Sequence, residues 1–260
     1  MNLFSLRLVF SDSYTINSMD LKYPERPAIL ASAAYLKGFE RVRHRIGFRD
    51  WAMDSGAYTF FNSGRQQNLD TYIATCLRLK DDPALVEIYA LDDMGGEWRQ
   101  TLRNTQLMWA QGIQAIPTFH VGEPWDVLRG YAADFPKVAL GGMSNREAGL
   151  SSSKRTGMHW QQKVRWCTEA FSHIWPKKVH GFGCGAKKLL LKVPFHSVDA
   201  SSWVIGPAMG RWTFLTDRTS KNAYLGIRDA KMTRRAEVEW SLRMEREIQS
   251  RWQRELESLC

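Results

Sequence analysis

Residues 86–93, Val-Glu-Ile-Tyr-Ala-Leu-Asp-Asp, are a short apolar run that ends in two acids, and a helix-compatible stretch (97–111) follows it. The same phrase recurs on both sides. Upstream lie LRLVFS (6–11), AILASAAY (28–35) and DWAMDSG (50–56). Downstream lie IQAIPTFHV (113–121), KVALGGM (137–143), KVHGFGCG (178–185) and HSVDASSWV (196–204). Helix-compatible segments at 69–80, 124–134, 158–174 and 187–193 fall between them. Buried strands that alternate with helices predict parallel βαβ units. About eight such runs in roughly 200 residues fit an α/β fold of the (β/α)8 TIM-barrel type better than an open doubly wound sheet. A dinucleotide-binding sheet would carry G-x-G-x-x-G after its first strand; GFGCGAKK (181–188) comes late and has the wrong spacing.

A barrel also orders the polar residues. Asp54, Asp92, Asp93, His120, Gly141, Gly142, Gly183 and Asp199 each sit at the C-terminal end of a predicted strand. In this architecture those ends converge on the active-site mouth. The tail from 228 to 260 is a long helical pattern in which eight basic residues nearly balance seven acidic ones, so it reads as a packing or interaction helix. The expected organisation is a single barrel domain over 1–226 with a helical extension, 227–260, packed on or beside it.

The chain has 260 residues, of which 44% are hydrophobic. That excludes a disordered protein and suffices for a core without disulfide or metal staples. Cys76, Cys167, Cys184 and Cys260 are scattered with no CxxC pair. A zinc knuckle of the usual spacing and a disulfide-framed secreted scaffold are thereby excluded. With no signal-peptide pattern and no 18-residue apolar stretch, the expectation is a soluble cytoplasmic protein (host cytoplasm if phage-encoded) with no membrane partner.

The formal charge is +9, and it is unevenly spread. Residues 70–136 hold ten acids and five bases, whereas 145–192 hold ten bases and two acids and 209–235 hold seven and two. Basic blocks of this size suit a polyanion, because each Lys or Arg on a phosphate releases a counterion. A solvated basic surface is the alternative. Trp160, Trp166, Trp175, Trp203 and Trp212 fall in these blocks and offer either stacking platforms for unpaired bases or packing residues.

Asp54 opens Asp-Ser-Gly-Ala-Tyr, and Asp199 lies in Ser-Val-Asp-Ala-Ser-Ser-Trp. Taken alone, each reads first as a turn or N-cap aspartate. Across one barrel mouth they can instead divide the labour at a glycosidic carbon, one as nucleophile and the other as proton shuttle.

Five motifs carry a family resemblance. MDSGAY (53–58), ALDDM (90–94), VALGGM (138–143), HGFGCG (180–185) and SVDASSW (197–203) resemble, in order and rough spacing, the motifs of the queuine/archaeosine tRNA-guanine transglycosylases. The family's zinc-binding Cys-x-Cys-x-x-Cys is absent, and His120-Val-Gly-Glu123-Pro replaces its Gln-Gly-Gly stretch. A short chain with these departures resembles the DpdA-type branch, which places 7-deazaguanine bases in DNA.

The resemblance implies a base-exchange transglycosylase acting on DNA and a free 7-deazaguanine base such as preQ0, with no metal or other cofactor. Asp199 would be the nucleophile and Asp54 the general acid/base. Asp92 or Asp93, His120, Gly141, Gly142, Tyr58 and Ser55 would hold the base, with His120 and Tyr58 equally readable as structural residues. Lys154, Arg155, Lys187, Lys188 and Arg211 would hold the nucleic-acid backbone, and the first helix after the glycine turn would help; solvated lysines are the alternative. A target base must leave its helix to be reached. Competing functions are a tRNA-guanine transglycosylase, a hydrolytic N-glycosidase and a non-catalytic nucleic-acid-binding barrel. A metal-dependent barrel hydrolase would show His-x-His, which the six histidines do not form. Oligomeric state has no signature in the sequence.

Overall fold

The protein was analysed as a computed structural model that describes residues 5–11, 26–45, 47–143, 158–201 and 230–258. Each predicted apolar run contains a strand: β1 (Arg7–Ser11), β2 (Ala28–Ser32), β3 (Trp51–Asp54), β4 (Leu85–Tyr89), β5 (Ala115–Ile116), β6 (Thr118–His120), β7 (Lys137–Gly141), β8 (Lys178–Gly181) and β9 (Ser197–Ala200). The helices are α1 (Leu36–Val42), α2 (Ala57–Asn62), α3 (Leu69–Leu79), α4 (Trp98–Ala110), α5 (Trp125–Asp134), α6 (Trp160–Ile174), α7 (Lys187–Leu190) and α8 (Ala230–Glu257). Short 3-10 turns flank α1.

All the strand pairs are parallel, in the order β5-β4-β3-β2-β1-β9-β8-β7-β6. The two ends of that order, β5 and β6, are separated in the chain by Pro117 alone. Where one strand was expected there are therefore two, because proline has no N–H for the ladder. Its carbonyl still accepts from the Ala139 amide at 2.9 Å, which carries the sheet across the break. The result is a TIM barrel of eight staves.

Strand alternation sorts the side chains into layers. Val9, Ala28, Leu30, Ala52, Tyr89, Ile116 and Ala139 form a separate buried cluster inside the barrel, with Phe182 packed on it. The larger core, including Leu8, Ile29, Met53, Leu140 and Val198, lies between the strands and the helices. One step toward the N-terminal end from the inner cluster, the same inward faces carry Arg7, Glu87, Lys137 and Ser197. One step toward the other end they carry Ser11, Ser32 and Asp54, while His120 ends β6 and Asp199 is level with Val9 across the β1–β9 pair. Apolar burial thus fixes the register, and the register places the polar groups.

α8 is a packing helix. Val238, Leu242, Met244 and Ile248 are buried in the main core. The Glu245 carboxylate accepts from the Leu8 amide at 3.1 Å, which occupies an N–H at the start of β1, and Trp252 donates to the Leu190 carbonyl at 2.8 Å. Of the extension expected over 227–260, the described part, α8, is thus bonded to the barrel.

Candidate active site

A cavity of about 620 Å³ opens at the C-terminal ends of the strands. That size lies within the usual range for small-molecule sites. Asp54, Asp92, His120, Gly141, Gly142, Tyr58, Gly183 and Asp199 all line it. The two acids at the ends of β3 and β9 therefore meet in one space.

Asp54 is fixed by its own turn. Its Oδ2 accepts from the Gly56 amide at 3.0 Å. Gly56 has φ +80°, and a Cβ there would lie 3.0 Å from both the Ala34 nitrogen and Ser32 Oγ, so Asp-Ser-Gly needs its glycine. Burial, followed by the charge of Asp92 and more weakly that of Asp199, pushes the Asp54 carboxyl up to about 7, against the Gly56 amide and a Ser32 hydrogen bond. Such a group exchanges a proton readily at neutral pH.

Asp199 is held differently. Ser11 Oγ donates to its Oδ2 at 2.8 Å, and the Gly183 amide donates to its Oδ1 at 2.6 Å. The glycine turn HGFGCG therefore delivers a backbone donor to the acid on the next strand. The two bonds, one to each oxygen, hold the carboxylate in one orientation.

The acidic strand end of β4 divides in two. Asp92 faces the cavity, accepting from Ser55 Oγ at 3.1 Å on Oδ1 and lying 2.9 Å from His120 Nε2 through Oδ2. Asp93 does not line the cavity. Its Oδ2 accepts from the Glu97 amide at 2.9 Å, and its own amide donates to Thr101 Oγ1, so it closes the turn before α4. Ser55 is fully buried behind Asp92 and also caps α2 by accepting from the Ala57 amide at 3.2 Å. Asp93 and Ser55, expected at the base, are structural supports; Asp92 alone of the three is presented.

His120 lies between two acids. Its Nδ1 is 3.4 Å from Glu123 Oε1, and Glu123 Oε2 accepts from the His120 amide at 3.1 Å. Burial would expel its proton, but the carboxylates of Asp92, at bonding distance, and of Glu123 outweigh it and push the imidazole up to about 10. His120 is thus a buried cation at neutral pH. Gly141 is the packing partner of this pair. A Cβ there would lie 2.8 Å from Thr118 Cγ2 and 3.1 Å from His120 Cδ2. The glycine pair lines the cavity as expected, and it also makes room for His120.

Tyr58 lines the mouth and is half exposed, as is Tyr35 beside it, which the sequence did not single out. Lys187 and Lys188 do not line the cavity. Lys187 is ion-paired with Glu247 of α8 at 3.5 Å, and Lys188 lies 5.6 Å from the centre of the Trp160 ring. α7 has only four residues and offers no sustained N-terminal dipole. Lys154, Arg155 and Arg211 fall outside the described residues, as do Trp203 and Trp212. Trp166 stacks on Phe119 and meets Trp125 at a tilt as a packing residue, whereas Trp160 and Trp175 are exposed.

Sequence reasoning missed Ser11, Ser32, Glu123 and Phe182. Serine ends strands too often to stand out, and Glu123 was visible only as part of a replaced motif. Among the described residues there is no group of three or more His, Cys, Asp or Glu side chains that could hold a metal ion, and no helix long and apolar enough to cross a membrane.

No protein-family model matches the chain, and no curated protein matches it. Among solved structures it is similar to a mutant tryptophan synthase α-subunit from the hyperthermophile Pyrococcus furiosus, at 12% identity and a TM-score of 0.48, over 93% of this chain and 98% of that one. It is also similar to the carboxyl transferase domain of Rhizobium etli pyruvate carboxylase, at 10% identity and a TM-score of 0.48, over 93% of this chain and 48% of that one.

Proposed function

We propose that this protein is a base-exchange transglycosylase that replaces guanine in DNA with a 7-deazaguanine such as preQ0. The observation that carries the proposal is the meeting of Asp54 and Asp199 in one cavity in different settings. Asp199 is held in one orientation by the Ser11 hydroxyl and the Gly183 amide, while Asp54 is pushed up to about 7. A double displacement at an anomeric carbon needs that division of labour.

In the first half-reaction an Asp199 oxygen bonds to C1′ as the C1′–N9 bond breaks, and Asp54 gives its proton to the departing guanine. In the second, Asp54 takes the N9 proton of the incoming 7-deazaguanine. The freed nitrogen then bonds to C1′, and the Asp199 ester breaks to restore the carboxylate. Asp92 is placed to accept from the N1–H and exocyclic amine of either base, a pattern that guanine and its 7-deaza analogues share. The imidazole of His120, 2.9 Å from Oδ2, fixes the orientation of Asp92 as an acceptor. Tyr58 at the rim supplies a stacking face. Water must be kept from the ester for exchange to outrun hydrolysis, and a bound base against Tyr58 and Phe182 would do so.

DNA is preferred to tRNA because the sequence departs from the tRNA enzymes at the zinc motif and at His120-Val-Gly. The test is incubation of labelled guanine or preQ0 with duplex DNA and with tRNA separately, together with trapping of a covalent nucleic-acid adduct. Label in DNA and an adduct lost in Asp199→Ala are expected. Release of guanine without incorporation would make the protein a hydrolase, and label in tRNA alone would move the substrate. Full exchange by Asp199→Ala would overturn the mechanism.

A further inference from the structure

Beneath Asp199 lies a polar chain that base exchange through the two acids does not use. His180 of β8 is fully buried, packed against the rings of Tyr89 and Phe182 at centroid distances of 4.7 and 4.6 Å. Its Nδ1 is 2.8 Å from Ser197 Oγ, two residues before Asp199 on the same face of β9. Lys137 Nζ donates to that hydroxyl at 2.6 Å and to Glu87 Oε1 at 2.5 Å. Glu87 Oε2 in turn accepts from Arg7 at 2.8 Å and from the Tyr89 hydroxyl at 2.9 Å. At the upper end, His180 Nε2 has no hydrogen-bond partner and lies 3.7 Å from Asp199 Oδ1.

The chain has a direction. An ammonium only donates, so Ser197 Oγ accepts from Lys137 and its own hydrogen goes to His180 Nδ1. Burial, helped by the charge of Lys137, pushes the His180 imidazole down despite Asp199 and Glu87 nearby, which leaves one N–H. That N–H must be on Nε2. The other tautomer would strand the serine hydrogen in the core and set a bare lone pair against a carboxylate oxygen, both of which cost free energy.

We propose that His180 is a positioning residue for Asp199, with its Nε2–H aimed from below by the Lys137–Ser197 relay. The proposal rests on Asp199 being the nucleophile. At 3.7 Å the donor is poised just beyond bonding length. It closes on Oδ1 when the carboxylate turns toward the sugar. Its effect is greatest as the Asp199 ester breaks, because negative charge then returns to the oxygens that the N–H faces. No proton moves along the chain. The groups that face His180 are Asp199 on β9, Lys137 on β7, and Glu87 and Tyr89 on β4; those that face Asp199 are Ser11, the Gly183 amide and, by charge, Asp54.

The test is the pH dependence of labelled-guanine exchange into duplex DNA by the full chain carrying His180→Leu, His180→Gln or Ser197→Ala, with Asp199→Asn as the control. His180→Leu should lower kcat about 10- to 100-fold with KM for the base changed less than about twofold, and move the acidic limb to higher pH. His180→Gln, whose amide nitrogen reaches the same place, should recover most of the rate. Ser197→Ala, a small change in volume, should move the limb in the same direction. In the wild type, nitrogen NMR should find the His180 proton on Nε2; a proton on Nδ1 overturns the proposal whether or not any variant folds. A His180→Leu profile like that of the wild type, or a Gln variant as slow as Leu, also overturns it. An active Asp199→Asn protein would instead remove the nucleophile on which the proposal stands.

Discussion

The Ser11 hydroxyl donates to Oδ2 of Asp199 at 2.8 Å across the seam where the first strand of the barrel meets the last. The bond couples closure of the barrel to the aim of the acid. A hydrogen bond to a charged group contributes about 1.5–3 kcal/mol. In the proposed mechanism the bond aims the carboxylate at the sugar, so Ser11→Ala should slow base release roughly 10- to 100-fold through lost orientation, with nucleic-acid binding unchanged. Single-turnover release of labelled guanine measures it.

Asp54→Asn removes the proton shuttle and keeps the shape of the turn. Exchange should fall about 10²- to 10⁴-fold, the usual range for a positioned acid or base. Equilibrium binding of free preQ0, measured by calorimetry, should change little, because the proposed mechanism gives the base edge to Asp92 and not to Asp54.

The same substitution has a signature in stability. The folded Asp54 holds its proton up to about 7, whereas an unfolded aspartate releases it near 3.8. Between those values the native state binds more protons, so this group costs stability as pH rises. The Asn variant should therefore gain on the wild type from pH 4 to pH 7, by up to about 4 kcal/mol. Urea unfolding at several pH values checks this, and parallel curves for the two proteins would contradict it.

His120→Ala should leave Asp92 and Glu123 buried without their cation. Breaking a buried pair in this way costs roughly 3–5 kcal/mol. Adding Asp92→Asn should restore part of the loss, since the remaining site then holds one uncompensated acid fewer. A double-mutant cycle from thermal or denaturant unfolding gives the coupling.

Gly141→Ala tests the fit of β7 against β6. A methyl group 2.8 Å from Thr118 Cγ2 must push that side chain or the His120 ring aside. Overpacking of this kind costs about 1–3 kcal/mol. A loss of base affinity larger than the loss of stability would place the shift at His120.

The local sequence determined the staves. Each apolar run became a strand because parallel strands covered on both faces need continuous apolar residues. The helices at 69–79, 98–110, 125–134 and 160–174 lie within a residue or two of their expected bounds. Those same runs announced Asp54, Asp92, His120, the Gly141–Gly142 pair and Asp199 as strand-end residues. Pro117 could be read in the sequence, but the split it makes between β5 and β6 depends on which neighbour each half pairs with.

Only the tertiary structure decided which polar residues belong together. Asp92 and Asp93 are adjacent and chemically alike, yet one lines the cavity and the other closes a turn, because both lie past the end of β4, where the bonds of Asp93 to Glu97 and Thr101 set the path of the chain into α4. Lys187, readable in the sequence as a phosphate ligand or a solvated lysine, lies 3.5 Å from Glu247 of α8, a neighbour 60 residues away in the chain. The chain from Lys137 through Ser197 and His180 to Asp199 joins three strands whose local sequences hold no sign of one another. Strand identity is written in short-range burial patterns, but the partners of a polar atom are set by closure of the barrel, which brings distant segments within hydrogen-bonding reach.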